Sequence, residues 1–280
     1  MNWLKDQFWG LPRFIQLSFV RVKFRNKFNY ETTVKLHQGL VQLTEKHETN
    51  TKQIYFYFPK RISRYFIGIE ERIKTISMEY CLDQIPNLPQ GHIVDIGSNI
   101  GEFSLAVNMK YPGRKYIRFE PSETENSASK INLQGIDEIL VNQPLWSHIV
   151  ELDFYNKNEN GDSSLFQPDN KAKRIKLVTT TLDDSLLLLN VESIALLKLE
   201  AEGAEPEILL GAKKTLSKTW FVTADLGPER GLDQARTFDE VSELLALSNF
   251  ELIGRNPGGR ECFLYRNSNF SSEVEREKES

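Results

Sequence analysis

The sequence predicts an α/β protein built on a doubly wound, mostly parallel sheet of seven strands. Two observations support this fold class. Between Gly91 and about Arg266, strand-like and helix-like segments alternate along the chain, which is typical of parallel strands joined by helical crossovers. Several of the strand-like segments are continuous apolar runs, the pattern of strands that are covered on both faces.

Seven segments qualify as core strands by their apolar, β-branched and aromatic content. They are His92–Ile96, Lys115–Phe119, Ile139–Val141, Ile194–Leu199, Trp220–Ala224, Phe250–Ile253 and Cys262–Tyr265. Two further strand-like segments, Val150–Tyr155 and Ile175–Thr180, interrupt the alternation between the third and fourth core strands. We expect these two segments to form a small β insertion.

Helix signals fill the gaps between the core strands. Ser122 with Glu125 has the spacing of a capping box, as does Thr237 with Glu240. A proline at position 206 is tolerated in the first turn of a helix and indicates that a helix begins there and runs to about residue 216. These signals place helices after the second, fourth and fifth core strands.

The chain divides into three regions by pattern. Residues 1–89 are predicted to form a mostly helical N-terminal extension, and residues 90–267 form the main α/β domain. Residues 268–280 run into alternating charges with few apolar side chains, so we expect a disordered tail.

Within the extension, one helix and one strand are predicted. Ile69, Ile73, Ile76 and Tyr80 recur at helical spacing, so one face of this helix is expected to pack on the protein. The aromatic segment Ile54–Phe58 is strand-like.

Composition limits the function classes. The formal net charge is −4, so the protein as a whole has no positive field that would attract nucleic acid. Its two cysteines, Cys81 and Cys262, lie far apart, which argues against a disulfide framework or a thiolate zinc site. No His/Cys cluster has metal-ligand spacing, and an oxygen-ligated Mg²⁺ is left open. A reducing, cytoplasmic compartment is the expectation.

The N-terminal region combines aromatic and basic side chains. The apolar stretch Phe14–Val20 is followed by Arg21, Lys23, Arg25 and Lys27, and it is too short to span a bilayer. Such a segment either packs on the main domain with a solvated basic face, which we favour, or makes peripheral contact with an anionic membrane.

The strongest motif lies at the end of the first core strand. The strand ends in Asp95, and a turn containing Gly97, Asn99 and Gly101 then opens a helix. A dinucleotide site requires G-x-G-x-x-G, whereas the glycine spacing here is G-x-x-x-G. A carboxylate at position 95 would repel a pyrophosphate and attract an amino-acid ammonium group.

A second acidic residue follows the next strand. Glu120 lies about twenty residues after the glycine turn, the offset at which a carboxylate binds ribose hydroxyls. A ligand that has a ribose and an amino-acid ammonium group but no pyrophosphate is S-adenosylmethionine. The sequence therefore predicts an S-adenosylmethionine site formed by Asp95, Gly97, Asn99, Gly101 and Glu120.

A third motif follows the fourth core strand. Lys198, Glu200 and Glu202 alternate with apolar residues, so they lie on one face if the strand continues. Charged residues on a buried strand cost free energy unless they are paired or functional. Either an internal Lys–Glu pair or a functional site accounts for the pattern, and we favour the functional site.

These motifs resemble FkbM-type methyltransferases. The resemblance covers about residues 92–266 and is carried by the Asp95–Gly101 turn, Phe119-Glu120-Pro121, Thr180-Thr181-Leu182-Asp183-Asp184 and the block from Leu197 to Glu205. It implies a class I methyltransferase sheet, S-adenosylmethionine as cofactor, and O-methylation of sugars, polyketides or related metabolites. The sequence has Ser98 where the family usually has Ala, and Glu200 where the family usually has Asp.

Transfer of a methyl group to a hydroxyl also requires removal of the hydroxyl proton. The predicted catalytic residues are Glu200, Glu202 and Asp225, which end core strands on the ligand side, with Lys198 anchoring or tuning the carboxylate. His148 is a weaker alternative. The acceptor is expected to be a small molecule or glycan rather than a nucleic acid.

Two other functions compete with methyl transfer. One is a nicotinamide-dependent oxidoreductase, which the missing G-x-G-x-x-G disfavours. The other is a non-catalytic interaction module on the same sheet, which the presence of every expected cofactor position disfavours.

Overall fold

The computed structural model describes residues 31–156, 163–167 and 172–270. Its central feature is a seven-stranded sheet formed by β4, β5, β6, β10, β11, β12 and β13. Their bounds are His92–Ile96, Tyr116–Phe119, Glu138–Val141, Ile194–Leu199, Thr219–Asp225, Phe250–Arg255 and Cys262–Asn267, respectively. All seven predicted core strands are confirmed, with bounds shifted by no more than two residues.

The strands of this sheet are ordered β12-β13-β11-β10-β4-β5-β6. The pairs from β11 through β6 are parallel, and β13 is antiparallel to both of its neighbours, β11 and β12. The order reverses direction between β4 and β10, and ligands bind at such a switch point in open α/β sheets. The sheet is therefore doubly wound and mostly parallel, as the sequence predicted.

Helices cover both faces of the sheet. In chain order, the α-helices of the described residues are α1 to α7, at Ile69–Glu79, Glu102–Lys110, Glu123–Asn132, Leu182–Leu188, Glu205–Leu210, Lys213–Leu216 and Phe238–Leu247. Successive residues of β4 and β10 point to opposite faces. Val94 and Leu197 accordingly pack in one apolar core, whereas Ile93 and Leu196 pack in the other.

The helix starts were predicted more accurately than their hydrogen bonds. Ser122 and Thr237 stand at the N-cap positions of α3 and α7, but neither side chain makes the predicted capping hydrogen bond. Thr237 instead donates to Glu205. The predicted single helix over 207–216 is divided into α5 and α6 at Gly211, whose missing side chain lets it pack against the Trp146 carbonyl.

The β insertion is confirmed, and its described residues form three strands. These are β7 (Glu151–Asn156), β8 (Ser163–Ser164) and β9 (Lys173–Val178), in the order β8-β7-β9. The pair β7 and β9 corresponds to the two predicted segments. The insertion reaches the carboxyl edge of the main sheet, where Ser164 donates a hydrogen bond to the backbone carbonyl of Glu202.

The prediction of a mostly helical N-terminal extension is wrong for the described residues 31–89. Three antiparallel strands, β1 (Glu31–His37), β2 (Leu40–Lys46) and β3 (Thr51–Phe56), precede a 3-10 segment at Pro59–Tyr65. The predicted strand at Ile54–Phe58 overlaps β3. Apolar residues of these strands pack in a third core, which also contains Ile100 and Ala128 of the main domain.

The predicted helix of the extension is confirmed as α1. Ile69, Ile73 and Ile76 are buried on one face, and Tyr80 follows directly after the helix. The segment of residues 31–85 is hereafter called the N-terminal segment. Its β1–β3 sheet and α1 both pack on the main domain, and the division of the chain at residue 89 stays a prediction.

Several predictions concern residues that lie partly or wholly outside the described ranges. The aromatic and basic stretch of residues 14–27 lies outside the described residues, as do residues 271–280 of the predicted tail. Residues 268–270 form a short 3-10 turn in which Phe270 stacks on Trp220. Cys81 and Cys262 are free and buried. Among the described residues, the helices are too short or too polar to cross a bilayer.

Candidate active site

A cavity of about 300 Å³ lies at the carboxyl ends of β4, β5 and β10. Its volume is at the lower end of the range for small-molecule sites, and it is partly open to solvent. The walls come from the turns after these three strands, from the β insertion and from the N-terminal segment. The sequence predicted the strand ends but not the contribution of the N-terminal segment.

The turn after β4 depends on close backbone contacts. Gly97 has φ +68°, and a Cβ there would lie 2.0 Å from the carbonyl oxygen of Glu200. Gly101 has φ +88°, and a Cβ there would lie 2.8 Å from Leu133. Gly97 lines the cavity, but Gly101 does not. Both glycines therefore allow the turn to pack closely on the rest of the protein.

The backbone N–H groups of this turn are all used within the protein. Those of Gly97 and Ser98 donate to the Phe119 carbonyl, and that of Gly101 donates to Ser98. The N–H of Asn99 donates to Glu120 Oε2 at 2.9 Å, and that of Ile100 donates to the Asn99 side chain. A pyrophosphate needs free N–H groups at such a turn. The turn therefore does not fit a dinucleotide.

Glu120 lies beside the turn, at the end of β5. Its carboxylate accepts hydrogen bonds from the N–H groups of Asn99, at 2.9 Å, and Ser122, at 2.8 Å. Burial raises the pKa of Glu120, and these two hydrogen bonds partly oppose the rise. Glu120 and Asn99 both line the cavity, so the structure brings these two predicted site residues together. The remaining lone pairs of the carboxylate are acceptors for ligand hydroxyls.

Asp95 occupies a different position from the one predicted. It is fully buried, accepts a hydrogen bond from Ser104 at 2.8 Å and lies 3.2 Å from Lys198 Nζ. It does not line the cavity. Asp95 and Glu120 are at the same edge of the sheet, but the Asp95 carboxylate pairs with the ammonium group of Lys198 beneath the turn.

Lys198 joins the turn to β10. Its ammonium group donates to the carbonyls of Ile96, at 2.9 Å, and Gly97, at 2.7 Å, and pairs with Glu200 at 2.8 Å. Burial alone would lower the pKa of Lys198, but the charges of Glu200 and Asp95 raise it. Lys198 is therefore a positively charged internal crosslink.

Glu200 has partners on both carboxylate oxygens. Oε2 accepts from the Tyr80 hydroxyl at 2.6 Å and pairs with Lys198, while Oε1 pairs with Arg260. Burial alone would raise the pKa of Glu200, but the charges of Arg260 and Lys198 hold it well below its ordinary value. A general base needs a pKa near the working pH, so this arrangement suits an anchored anion better than a base.

Asp225 lies behind Arg260 rather than on the cavity wall. Its side chain is 2 % exposed and pairs with the Arg260 guanidinium. Burial raises the pKa of Asp225, and Arg260 opposes the rise. Arg260 itself lines the cavity and bridges Glu200 and Asp225. Arg260 was not predicted from the sequence, although it lies two residues before the last strand, β13.

The N-terminal segment contributes a second charged cluster. Glu102, the first residue of α2, accepts hydrogen bonds from Arg61 at 3.0 Å, Tyr65 at 2.8 Å and Arg72 at 3.4 Å. Burial alone would raise the pKa of Glu102, but Arg61 and Arg72 lower it to about 2. Arg61, Arg72 and Glu102 all line the cavity. No sequence motif linked these residues, because they come from separate elements.

The far side of the cavity has carboxylates from two turns. Glu202, after β10, and Glu229, after β11, line it. Glu202 was predicted and Glu229 was not. Arg230 does not reach the cavity, and its guanidinium pairs with Glu207 at 2.6 Å. His148 is exposed and contacts Ser147 rather than the cavity.

The side of the cavity next to the insertion is apolar. Its wall contains the side chains of Phe119, Leu145, Phe154, Leu165 and Ile208. Flat, apolar surfaces suit a nucleobase, and the Glu120 carboxylate nearby suits a ribose. Among the described residues, no group of three His, Cys, Asp or Glu side chains is arranged to hold a metal ion.

A family model described as the methyltransferase FkbM domain matches residues 95–252, which is more than half of the chain. The chain belongs to the FkbM methyltransferase family. It is therefore a methyltransferase that depends on S-adenosylmethionine, and the resemblance stated from its motifs is confirmed.

Similar proteins include other methyltransferases. The 2-O-methyltransferase NoeI of Sinorhizobium fredii is 24% identical over 219 residues, covering 72% of this chain and 89% of NoeI. Methyltransferase sdnD of Sordaria araneosa is 30% identical over 191 residues, covering 54% of this chain and 73% of the relative. The magnesium protoporphyrin IX methyltransferase of Synechocystis, solved with bound SAM, is 12% identical and aligns over 90% of this chain and 97% of its own, with a TM-score of 0.42.

Proposed function

We propose that this FkbM methyltransferase methylates a hydroxyl oxygen of a sugar, glycolipid or secondary metabolite. The observation that carries the proposal is the similarity to NoeI, a 2-O-methyltransferase, over 89% of the length of that relative. The acceptor is then a small molecule or glycan, and the chemistry is transfer of a methyl group to oxygen.

In this proposal the cofactor lies between the turn after β4 and the end of β5. Glu120 binds the ribose hydroxyls, and Gly97 and Asn99 form the floor beneath the amino-acid part. The apolar wall of Phe119, Leu145, Phe154, Leu165 and Ile208 takes the adenine. When bound, S-adenosylmethionine supplies a methyl group on a positively charged sulfur. Asp95 and Gly101 act indirectly, by fixing the shape of the turn.

Lys198, Glu200 and Asp225 have positioning roles in this proposal. Lys198 ties the turn after β4 to β10 through two carbonyl oxygens and Glu200. Asp225 holds Arg260, which in turn holds Glu200. Most of the catalytic effect of such a site comes from keeping donor and acceptor in register, so a rigid floor serves methyl transfer directly.

Neither of the competing functions is favoured. An oxidoreductase would need the turn to bind a pyrophosphate, and the turn has no free N–H group from Gly97 to Gly101. A non-catalytic module would not need a cavity lined by charged side chains at the carboxyl edge of the sheet. A cytoplasmic location and peripheral membrane contact through residues 14–27 remain expectations.

The test combines binding and product analysis on the full chain. Calorimetric titration should show binding of S-adenosylmethionine and no binding of NAD. The protein is then incubated with S-adenosylmethionine and a panel of methyl glycosides, glycolipids and hydroxylated polyketides. The proposal predicts a product that is heavier than the acceptor by the mass of one CH₂ unit, with the new methyl group on an oxygen. A methylated nitrogen or carbon, or an oligonucleotide product from a parallel panel, would contradict it.

A further inference from the structure

Among the residues that the structure describes, five glutamates line the cavity, and they differ in how their carboxylates are bound. They are Glu102, Glu120, Glu200, Glu202 and Glu229. The first three accept hydrogen bonds or form ion pairs on both oxygens, and Glu202 also has an interaction partner. Glu229 alone among these five has a side chain without a hydrogen bond or ion pair to another described residue.

A fixed turn presents Glu229 to the cavity. The next residue, Arg230, packs so closely on Gly203 that a Cβ at Gly203 would lie 2.5 Å from the Arg230 Cα. Arg230 also donates to the Gly203 carbonyl at 2.9 Å and pairs with Glu207. The turns after β10 and β11 are therefore joined, and the residues just before the junction, Glu202 and Glu229, face the same part of the cavity.

We propose that Glu229 is the catalytic residue that accepts the proton of the acceptor hydroxyl. This inference rests on the proposed function. In the transfer, the acceptor oxygen forms its bond to the methyl carbon, and the carbon–sulfur bond breaks with its electron pair left on sulfur. The hydroxyl proton passes to the Glu229 carboxylate and is later released to solvent. Glu229 suits this role because its oxygens have no hydrogen bond or ion pair to another described side chain.

The charges around Glu229 determine when it is ionised. Burial raises the pKa of Glu229 to about 10, with further contributions from Glu202, Asp225 and Glu200, while Arg260 opposes the rise. The raised pKa favours the protonated carboxyl group in the cofactor-free enzyme. A positive charge bound in the same cavity favours the ionised form and lowers the pKa. Binding of the sulfonium cofactor therefore makes the base available, and a proton is released.

The experiment uses the full chain and measures the proton that is released when S-adenosylmethionine binds. S-adenosylmethionine is titrated calorimetrically at pH 8 in two buffers that differ in ionisation enthalpy, which gives the number of protons released per ligand bound. The wild-type protein should release up to one proton. S-adenosylhomocysteine, which lacks the positive charge on sulfur, should release fewer. Glu229→Gln should bind S-adenosylmethionine and release fewer protons than the wild type.

The matched control is Glu243→Gln, the same chemical change at an exposed position on α7. It should release as many protons as the wild type. Equal release by Glu229→Gln and the wild type would overturn the assignment of Glu229 and leave the proposed function intact. Absence of S-adenosylmethionine binding by the wild type would overturn both.

A second measurement does not depend on the folding of a variant. The infrared difference spectrum of the wild-type protein should lose a protonated carboxyl band when S-adenosylmethionine binds, and a spectrum without that loss would overturn the inference. With a methyl glycoside that the panel shows to be methylated, Glu229→Gln should lower kcat by about 10²-fold or more, the usual contribution of a positioned base. Its KM for S-adenosylmethionine should stay near that of the wild type.

Discussion

Glu120 and Glu200 are both glutamates at the ends of parallel strands, yet their carboxylates bind different partners. Glu120 accepts only from backbone N–H groups, and its pKa is raised by burial. Glu200 is surrounded by Lys198, Arg260 and the Tyr80 hydroxyl. The first arrangement leaves acceptor capacity for a neutral ligand, whereas the second uses the carboxylate inside the protein.

Tyr80→Phe tests how strongly Glu200 is held. The substitution removes the 2.6 Å hydrogen bond to the carboxylate and keeps the ring that lies over Lys198 and Arg260. Since hydrogen bonds to charged groups are the stronger kind, the free energy of unfolding should fall by about 1.5–3 kcal/mol. Tyr265→Phe is the control, because it removes a neutral bond to Ser242 and should cost about 0.5–1.5 kcal/mol. Urea unfolding measures both, and equal losses would contradict the account.

Gly97→Ala tests the contact between the turn and β10. The added Cβ would lie 2.0 Å from the Glu200 carbonyl oxygen, at a residue with φ +68°. Gly113→Ala is matched, because its φ is +77° but nothing lies within 4 Å of its Cβ. The control should lose about 1–2 kcal/mol of unfolding free energy through backbone strain. Gly97→Ala should lose more and should bind S-adenosylmethionine less tightly. Equal losses in urea unfolding would contradict the importance of this contact.

Among the elements, those with a strong apolar pattern were predictable and those that depend on distant contacts were not. The strand β10 has six buried residues in succession, so its position in the centre of the sheet was visible in the sequence. The strands β1 and β2 were not recognised, because Val34 is the only buried residue of β1 and because β2 buries polar residues such as Thr44 and Glu45 beside its apolar ones. The buried Glu45 carboxylate accepts from the backbone N–H of Ile69 at the start of α1, a contact between distant positions that no local pattern records.

The residues of the candidate site also divide into those in continuous motifs, which were predictable, and those that depend on distant contacts, which were not. The turn after β4, Glu120 and the Lys198–Glu202 block are continuous motifs, and the structure brings them together around the cavity. Tyr80 and Arg260 were missed because their partner Glu200 is 120 and 60 positions away along the chain. Asp225 was expected at the cavity because it ends a strand, but Arg260 covers it.

The attachment of the N-terminal segment to α2 should depend on pH through Glu102. The pKa of Glu102 is lowered from 4.5 to about 2 by Arg61 and Arg72. The stabilisation that the ionised carboxylate gives to the fold is therefore complete above pH 4.5 and is lost as the pH falls toward 2. The size of this contribution is about 3 kcal/mol. Glu102→Gln should destabilise the protein by about 3–5 kcal/mol at pH 7, because the buried Arg61 loses its shorter ion pair and keeps only the one with Glu125 at 3.9 Å.

The same variant should also lose less stability than the wild type when urea unfolding is compared at pH 5 and pH 3. Glu243→Gln, on the surface, should follow the wild type at each pH. If Glu102→Gln and the wild type lost equal stability between pH 5 and pH 3, the lowered pKa of Glu102 would not contribute to folding.

In the molecule as a whole, the site depends on three parts of the chain. The main sheet supplies the turn after β4, Glu120 and the β10 block, while the insertion supplies Phe154 and Leu165 of the apolar wall. The N-terminal segment supplies Tyr80 and the arginines that hold Glu102. Tyr80 and Arg260 lie outside residues 95–252, so the segment that matches the FkbM family model does not contain the complete site.

We propose that S-adenosylmethionine binds between the turn after β4 and the end of β5. A crystal structure of the full chain with S-adenosylhomocysteine would show where the ligand lies. The ribose hydroxyls should lie within hydrogen-bond distance of Glu120, and the adenine should contact Phe119 and Leu145. Density for the ligand away from Glu120, or a ribose bound by other residues, would overturn this placement.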